Sequence, residues 1–291
     1  MYRIIKREIS LIESAKKRGL SKNIINRFRN LIYTYYDQAK RPLPWRDTHN
    51  PYYILVSEIM LQQTQVGRVI EKYKSFIRNF PDIPTLAKAS RSDVLAAWQG
   101  LGYNRRALAL HDCSKIIAEK HGMKVPDSPE DLAALPGIGK ATAASIAVYA
   151  YNIPAPFIET NIRTVFIHFF FSEECSVHDH TILPLVSTTL DPENPSRWFN
   201  ALMDYGVMLK KREGNISRRS TRYRPQSVFA GSRRELRGKV IRTLIGTPLR
   251  SEEELILDTG SLCGEISSVL EELQTEGFIV RDTGGRYSIM K

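Results

Sequence analysis

The sequence predicts a mainly α-helical fold, and three observations support this prediction. Apolar residues recur at spacings of three and four along most of the chain, which is typical of helices with one buried face. Short segments rich in Pro and Gly separate these helical stretches. Alternating apolar and polar residues, the pattern of strands, are scarce between residues 66 and 170. At 291 residues, the chain is long enough for two or three domains.

The individual elements follow in chain order. Residues 1–40 have helical spacing, and the prolines of residues 41–46 then predict a rigid loop, because Pro lacks the N–H donor of a helix. Pro51 is placed to begin a helix whose apolar stripe continues to about residue 65. Helices with short breaks follow, and a further helix is predicted over about 196–211. The breaks are predicted at residues 81–84, 100–102, 126–129, 135–137 and 154–156.

The end of the chain predicts a small separate module over residues 235–291, after a larger domain over residues 1–234. Three helices are followed by two short strands around a Gly-rich turn, an order that resembles a winged helix. Winged helices bind DNA or proteins, so this likeness leaves both partners open. The expected helices cover about 235–246, 251–257 and 261–276, and the expected strands cover 278–281 and 286–289.

The charge of the chain indicates a polyanionic partner. The formal net charge is +11, and an excess of this size favours nucleic acid over a merely solvated basic surface. Seven Lys and Arg residues lie between residues 210 and 224 against one acid, Glu213, which predicts an extended basic loop. A contact with the DNA backbone and a solvated linker are equally open for this loop.

The cysteines and the apolar runs bear on the compartment. The three cysteines are far apart and form no C-x-x-C pair, which argues against disulfides and against a Cys-based metal site. The first residues lack the apolar stretch of a signal peptide, and no run is long enough for a membrane span. We expect a cytoplasmic, nucleoid-associated monomer with no membrane partner.

A candidate phosphate-binding hairpin covers residues 135–145. Its glycines stand where the backbone must turn tightly and approach a ligand closely, and Lys140 begins a helix. The N–H groups and the dipole at the start of a helix favour a phosphate. An ordinary corner between two helices is the alternative, but the basic chain favours DNA. The expected DNA contacts of the hairpin are Pro136, Gly137, Gly139 and Lys140.

With these motifs, the chain resembles the helix-hairpin-helix glycosylase superfamily and, within it, the adenine-specific mismatch glycosylases. The resemblance covers about residues 40–210, and its most specific stretch is Ser57-Glu58-Ile59-Met60-Leu61-Gln62-Gln63-Thr64-Gln65-Val66. It implies a two-lobed helical fold that cuts adenine from double-stranded DNA with a mispaired or damaged base. The other matching stretches are Leu43-Pro44-Trp45-Arg46, Gly100-Leu101-Gly102-Tyr103, the hairpin and Glu159-Thr160-Asn161.

The resemblance assigns the chemistry to two carboxylates. Glu58 matches the acid that protonates adenine at N7, and apolar neighbours would raise its pKa so that it keeps a proton near neutral pH. Glu159 stands where the superfamily has an aspartate that stays ionised and stabilises the positive sugar of the transition state. The extra methylene of Glu159 changes its geometry. Asn161 matches a residue that helps to hold the site, and a plain helix cap is its alternative.

Three further residues are expected near the extruded base. Taking a base out of the stack leaves a gap, and Gln63 and Tyr103 match residues that wedge into the duplex there. For Tyr103, a place in the core is the alternative. Arg46 matches a position near the flipped base, and a structural role on the Pro-rich loop beside Trp45 is equally open.

Two departures from the superfamily carry expectations of their own. Bifunctional relatives have a Lys nucleophile where this chain has Ala141, and Lys140 points to another side of the helix, so we expect a monofunctional enzyme. Most relatives hold an iron–sulfur cluster on four cysteines after the helix equivalent to 196–209. Lys210 occupies the first of these positions, so we expect no metal and no cofactor, with the basic loop contacting the DNA backbone instead.

The substrate preference is less constrained than the chemistry. Residues 235–291 are too short and wrongly patterned for the domain that recognises 8-oxoguanine in many adenine-specific relatives. The leading hypothesis is excision of adenine opposite 8-oxoguanine or guanine. A thymine or uracil mismatch glycosylase on the same scaffold is one alternative, and a non-catalytic damage sensor, against which Glu58 argues, is another.

Overall fold

The computed structural model of the protein describes residues 2–226 and 228–290, except for the side chains of residues 2–5 and 16–18. This part of the chain forms fifteen α-helices, two short 3-10 helices and one two-stranded sheet, which confirms the mainly helical prediction. None of the helices described is both long enough and apolar enough to cross a bilayer.

The helices and strands have the following bounds. The first seven helices are α1 (Tyr2–Arg18), α2 (Lys22–Ala39), α3 (Pro51–Leu61), α4 (Val66–Asn79), α5 (Ile83–Lys88), α6 (Arg91–Trp98) and α7 (Arg105–Lys120). They are followed by α8 (Pro129–Ala133), α9 (Lys140–Tyr151), α10 (Thr160–Phe170), α11 (Asp179–Thr189), α12 (Pro195–Glu213), α13 (Arg233–Gly246), α14 (Glu252–Thr259) and α15 (Cys263–Thr275). The 3-10 helices are Pro44–Arg46 and Ile216–Arg219, and the strands are β1 (Ile279–Arg281) and β2 (Tyr287–Ile289).

The chain divides into two compact units. Unit 1 consists of Met1–Ile54, Asp127–Ala133 and Gly139–Pro225. Unit 2 consists of Leu55–Pro126, Ala134–Ile138 and Gln226–Lys291. The C-terminal residues therefore share a unit with α4–α7, and the separate module over residues 235–291 stays a prediction.

The core of unit 1 is aromatic. Phe28 of α2 lies edge-on to four rings at centroid distances of 5.1, 5.3, 5.7 and 5.8 Å, the arrangement that the charge distribution of aromatic rings favours. These four rings belong to α10 and α12, so the N-terminal helices close over the packed pair α10 and α12. The rings are Phe166, Phe169, Phe170 and Trp198.

Three predicted elements of unit 1 have different bounds in the structure. The helix expected over residues 1–40 is two helices, because Gly19 takes a φ of +64° and the Ser21 side chain caps α2. The loop over residues 41–46 ends in a 3-10 turn, and Pro51 begins α3 as expected. The basic loop predicted over residues 210–224 is not extended throughout, since α12 continues to Glu213.

Gly206 lets α12 approach the start of α10. A Cβ atom at Gly206 would lie 2.3 Å from the carbonyl oxygen of Asn161 and 2.8 Å from its Cβ atom, distances that real side chains do not show. Only glycine therefore permits this contact. The contact matters for function because Glu159 and Asn161, two predicted site residues, lie at this end of α10.

Unit 2 packs α4–α7 around fully buried aromatic and aliphatic side chains, among them Phe76 and Trp98. Its C-terminal part has the predicted order of three helices and a hairpin, in which Ile279 of β1 pairs with Ile289 of β2. This part is joined to α6 by Arg91, whose Nη1 donates to the carbonyl oxygen of Gly277 at 2.7 Å.

Replacing Gly206 by Ala should destabilise the protein, by about 1–3 kcal/mol or more, because the new methyl group overlaps backbone atoms that cannot move aside. Gly238→Ala is the matched control, since Gly238 lies inside α13 with no atom within 4 Å of the added methyl group. The control should be neutral or stabilise by about 0.5–1 kcal/mol. Urea unfolding of both variants measures the difference, and equal midpoints would contradict the close approach.

Candidate active site

Glu58 projects from a helix that is otherwise withdrawn from water. The helix α3 begins at Pro51, where Asn50 Oδ1 accepts hydrogen bonds from the backbone N–H groups of Tyr52 at 3.0 Å and Tyr53 at 3.4 Å. Glu58 is half-buried, and both of its chain neighbours are buried. The apolar residues expected around it, Leu55, Val56, Ile59 and Met60, are all fully buried. Burial of these neighbours shows that α3 is largely packed against the protein, and the raised pKa expected for Glu58 stays a prediction.

Arg106 of α7 binds the carboxyl end of α3. Its Nη1 atom donates to three backbone carbonyl oxygens, at distances of 2.5–3.0 Å. These belong to Ile59, Met60 and Gln62. The last carbonyl groups of a helix have no partner within the helix and carry partial negative charge, and a half-buried guanidinium supplies both hydrogen-bond donors and positive charge. Burial lowers the pKa of Arg106 to about 10, which leaves the guanidinium charged at neutral pH.

The same guanidinium joins the two turns that carry Gln63 and Tyr103. Its Nη2 atom donates to Thr64 Oγ1 and to the carbonyl oxygen of Gly102, both at 3.0 Å. Gln63 and Tyr103 have backbone φ values of +55° and +49°, which residues other than Gly and Asn rarely adopt. Gln63 is exposed and Tyr103 is half-buried. Backbone strain of this kind persists where the surrounding structure fixes it, and it collects at functional sites.

The sequence did not single out Arg106. It is the second Arg in Gly100-Leu101-Gly102-Tyr103-Asn104-Arg105-Arg106, and its neighbour Arg105 is exposed. The one available signal was its place in the first turn of α7, where a cation is unfavourable for the helix and needs another reason.

One of the two hairpin glycines has the backbone that the sequence predicted, whereas Gly139 has an extended φ of −84° and no atom within 4 Å of an added Cβ. Gly137 takes a φ of +75°, and a Cβ atom there would lie 2.7 Å from the Cβ atom of Ala109. The Gln62 side-chain amide donates to the carbonyl oxygen of Gly137 at 3.2 Å, which joins the hairpin to the end of α3 within unit 2. Gly137, Gly139 and Lys140 are exposed, Pro136 is half-buried, and Gly139 immediately precedes the first turn of α9. An exposed helix start of this kind can accept a phosphate.

Glu159 lies at the N-terminus of α10 in unit 1. Its Oε1 atom accepts hydrogen bonds from the backbone N–H groups of Asn161 at 2.6 Å and Ile162 at 3.2 Å. Glu159 therefore caps the helix, and the cap alternative considered for Asn161 is wrong, because Asn161 lies within the first turn. Burial raises the pKa of Glu159, while the two N–H donors and the nearby Arg163 act in the opposite direction.

Arg46 is engaged inside unit 1. Its Nη1 and Nη2 atoms donate to the two carboxylate oxygens of Asp204 at 2.8 and 3.0 Å. Only 9% of the Arg46 side chain is exposed, and Asp204 is buried on α12. Arg41 donates to the same carboxylate through its backbone N–H at 2.9 Å. This geometry favours the structural role for Arg46, which is to fix the Pro-rich loop to α12.

The segment after α12 is bound by hydrogen bonds to residues 171–177, which follow α10. Val177 N donates to the carbonyl oxygen of Arg219 at 2.8 Å, and Thr221 N donates to that of Val177 at 3.0 Å. The side chain of Arg219 donates to the carbonyl oxygen of Glu174 at 2.6 Å and also to that of Phe171. Five basic residues remain exposed, namely Lys210 and Lys211 at the end of α12 and Arg218, Arg222 and Arg224 after it.

This segment does not fit an iron–sulfur cluster. Residues 210–224 contain no cysteine. Of the three cysteines in the chain, Cys113 is buried on α7, and Cys175 and Cys263 belong to different units. Four thiolates are needed to hold such a cluster. Among the residues that the structure describes, no group of three His, Cys, Asp or Glu side chains has the spacing of a metal site.

Comparisons with known proteins identify relatives of this chain. Residues 56–181 match the family model of the HhH-GPD superfamily of base excision DNA repair proteins. The chain is 32% identical over 286 residues to an adenine DNA glycosylase of Mycolicibacterium smegmatis, a match that covers 89% of this chain and 94% of that protein. It is 44% identical over 135 residues to an adenine DNA glycosylase of Mycobacterium tuberculosis, covering 46% of this chain and 44% of that protein.

Solved structures with the same fold include a thermostable thymine-DNA glycosylase, with a TM-score of 0.57 and 24% identity over 63% of this chain and 86% of that chain. Another is endonuclease III in a non-covalent complex with DNA, with a TM-score of 0.57 and 17% identity over 67% of this chain and 89% of that chain. At these identities the likeness shows the fold alone.

Arg106→Lys should destabilise the protein by about 2–3 kcal/mol, because one ammonium group cannot reach all the carbonyl oxygens that the guanidinium binds. Arg105→Lys is the matched control, since the Arg105 side chain is 77% exposed and its ion pair with Glu276 is long, at 4.0 Å. Urea unfolding compares the two. A loss of the same size in both variants would show that Arg106 has no special role.

Glu159→Gln should stabilise the protein at neutral pH but not in acid. Because the pKa of Glu159 is raised by folding, ionisation of this group costs stability, and the cost appears as the pH rises above the ordinary value of 4.5. The glutamine keeps an oxygen that can cap α10 and does not ionise.

The free energy of unfolding, measured in urea at about pH 4 and about pH 7, should fall with pH more steeply in the wild type than in this variant. Glu193→Gln, a change at an exposed carboxylate of unit 1, is the control and should leave the wild-type slope unchanged. Parallel slopes for the wild type and Glu159→Gln would contradict the raised pKa.

Proposed function

Because the chain belongs to the helix-hairpin-helix superfamily of base excision DNA repair proteins and to its adenine DNA glycosylase branch, we propose that it excises adenine mispaired with 8-oxoguanine or guanine. Membership makes the chain a DNA N-glycosylase of base excision repair that acts on adenine, with DNA as its partner. The mispair, the roles of individual residues and a monomeric active form belong to the proposal.

The match to the Mycolicibacterium smegmatis adenine DNA glycosylase carries this proposal, since it extends over 89% of the chain. The local structure of the motif residues supports it. Glu58 projects half-buried from an apolar helix, and Gln63 lies exposed on a strained turn directly after that helix. A structural helix would not need either feature.

The chemistry assigned to Glu58 is general acid catalysis. Transfer of a proton from Glu58 to N7 of adenine makes the base a neutral leaving group when the C1′–N9 bond breaks. The electron pair of that bond goes to the base, and the positive charge that develops on the sugar then needs a nearby anion and a water molecule to attack it.

Glu159 is the carboxylate assigned to the positive sugar. Burial raises the pKa of Glu159, and the two backbone N–H groups that bind its Oε1 atom act against this and favour the ionised form that the role needs. By capping α10, Glu159 is also fixed to a helix that Gly206 holds against α12. A carboxylate anchored in this way keeps its position during the reaction, which electrostatic stabilisation requires.

The remaining parts of the proposal concern the strand cut and the cofactor. Ala141 occupies the first turn of α9, where a Lys would be needed for a Schiff base, so the enzyme is assigned to the monofunctional class. Borohydride trapping should then yield no covalent complex with DNA.

Since residues 210–224 offer no thiolates and are held by backbone hydrogen bonds, activity is assigned to the metal-free chain. Iron bound to the purified active protein would contradict this assignment.

Glu58→Gln should slow adenine excision by about 100- to 10,000-fold while DNA binding is retained, because the amide cannot donate an acidic proton. Single-turnover assays with excess enzyme measure the bond-breaking step on four duplexes, with A opposite 8-oxoguanine, A opposite G, T opposite G and U opposite G. Glu71→Gln is the matched control, since the side chain of Glu71 is exposed and pairs only with the neighbouring Lys74 among the contacts described.

The outcomes of this assay separate the hypotheses. Loss of adenine from the first two duplexes alone, abolished in Glu58→Gln and unchanged in the control, supports the proposal. Loss of T or U from the other two would assign the chain to mismatch-pyrimidine excision. Tight binding without excision of any base would make it a damage sensor.

A further inference from the structure

The two residues expected to enter the duplex are contacted by a segment outside the family motifs. Gln226 Nε2 donates to the backbone carbonyl oxygen of Gln63 at 3.1 Å, and Arg234 Nη1 donates to the phenolic oxygen of Tyr103. We call residues 226 and 228–237 the tail arm. All of these residues belong to unit 2, so the tail arm borders both strained turns within one compact unit.

Arg234 lies against two aromatic rings. Its guanidinium carbon is 5.2 Å from the ring centroid of Tyr103 and 5.9 Å from that of Phe229. Both distances are within the range of a cation–π interaction. Together with the hydrogen bond to the phenol, they make Tyr103, Arg234 and Phe229 one cluster, which we call the ring cluster.

Phe229 presents its ring to solvent from an ordered turn. The ring residue is 58% exposed and the adjacent Val228 is 78% exposed, although both are large and apolar. The backbone beneath is fixed, because Ser232 N and Ser232 Oγ donate to the carbonyl oxygen of Phe229 at 3.1 and 2.6 Å. The N–H group of Gly231 donates to the Glu235 carboxylate at 2.7 Å. The exposed ring of Phe229 is therefore available to a flat partner from solvent.

The chemistry of the ring cluster fits a nucleobase. A flat ring with a guanidinium beside it offers stacking and a positive charge, which are the two features that unpaired bases use on proteins. The rest of the tail is unsuited to DNA. Beyond the tail arm, residues 238–291 contain six Lys and Arg against nine Asp and Glu, and α15 has three Glu and no Lys or Arg. Contact of the tail with DNA is therefore concentrated at the tail arm.

The position of the ring cluster selects which base it meets. Gln63 and Tyr103 are the residues assigned to the gap left by the extruded base, and the partner of that base, on the other strand, has lost its hydrogen bonds. We propose that Phe229 stacks on this unpaired base opposite the excised nucleotide, while Arg234 holds the rings of Phe229 and Tyr103 in place. This inference rests on the proposed function and adds to it a contact with the opposite strand.

The test uses a duplex in which the base opposite the reaction site is unpaired from the start. It carries a tetrahydrofuran abasic analogue, which cannot be cleaved by a glycosylase, opposite 2-aminopurine, whose fluorescence is quenched when it stacks on an aromatic ring. Phe229→Ala should bind this duplex about 5- to 150-fold more weakly than the wild type, the effect of losing one base–aromatic stack, and should leave the probe brighter at saturation. Phe229→Trp should retain both affinity and quenching.

The matched control is Leu257→Ala, because Leu257 is an exposed apolar residue of the same tail, 81% exposed on α14. Its affinity and fluorescence should equal those of the wild type. The ring of Phe229 is exposed and the hydrogen bonds of its turn involve its backbone, so Phe229→Ala loses only the cation–π contact with Arg234 and should lower the urea midpoint only slightly, which shows that the loss is local.

Two results would overturn the inference. Equal affinity and equal fluorescence in Phe229→Ala and the wild type would mean that Phe229 meets no base. Tighter binding in Phe229→Ala would mean that the tail arm obstructs the wedge residues. Either result, obtained with a wild type that excises adenine in a Glu58-dependent manner, refutes this contact and leaves the proposed function intact. Absence of that excision refutes the proposed function itself.

Discussion

The turns that carry Gln63 and Tyr103 in unit 2 depend on one half-buried cation. Arg106 binds the last carbonyl groups of α3, and through Gly102 it binds the turn before Tyr103. Without it, the carbonyl oxygens of Ile59 and Met60 in the last turn of α3 would lose a donor, and the free energy of burying them would oppose the fold. The turns on which Gln63 and Tyr103 take left-handed conformations are both among its partners. The hydrogen bonds of one side chain thus hold both residues in conformations that are otherwise unfavourable.

The hydrogen bonds of Arg106 fix the positions of the segments that it binds more than they add to the free energy of unfolding. Burial of a charge is costly, and its hydrogen bonds repay that cost only when the geometry is good. In unit 1, the pair of Arg46 with Asp204 follows the same logic, with two side-chain hydrogen bonds at 2.8 and 3.0 Å that fix a Pro-rich loop to α12. Both arginines hold short irregular segments against long helices. Irregular segments have few hydrogen bonds of their own, so a guanidinium with five donors suits this task better than an ammonium.

Local signals were sufficient for most helices, whereas the contacts that build the site are long-range. The start of α3 at Pro51 and the left-handed Gly137 follow from residues that allow few other conformations. The requirement for Gly206 could not be predicted, because it arises from the close approach of Asn161. The two residues are far apart in the sequence, and the residues around each give no sign of the contact. The catalytic role proposed for Glu58 rests on resemblance, since an isolated Glu on a helix carries no such signal. The two interpretations of Arg46 were separated only by its contact with Asp204, which lies 158 positions away.

The tail shows how far a correct list of elements falls short of function. Its helices and hairpin were predicted within a few residues, and the likeness to a winged helix suggested a self-contained module. That module stays a prediction, and the structure adds contacts of this tail with α6 through Arg91 and with the Tyr103 turn through Arg234. Because these contacts belong to unit 2, the tail and the turns that carry Gln63 and Tyr103 share their stability, and loosening one raises the conformational freedom of the other. Removal of the tail is therefore a change at the candidate DNA-reading surface, and not the loss of an appendage.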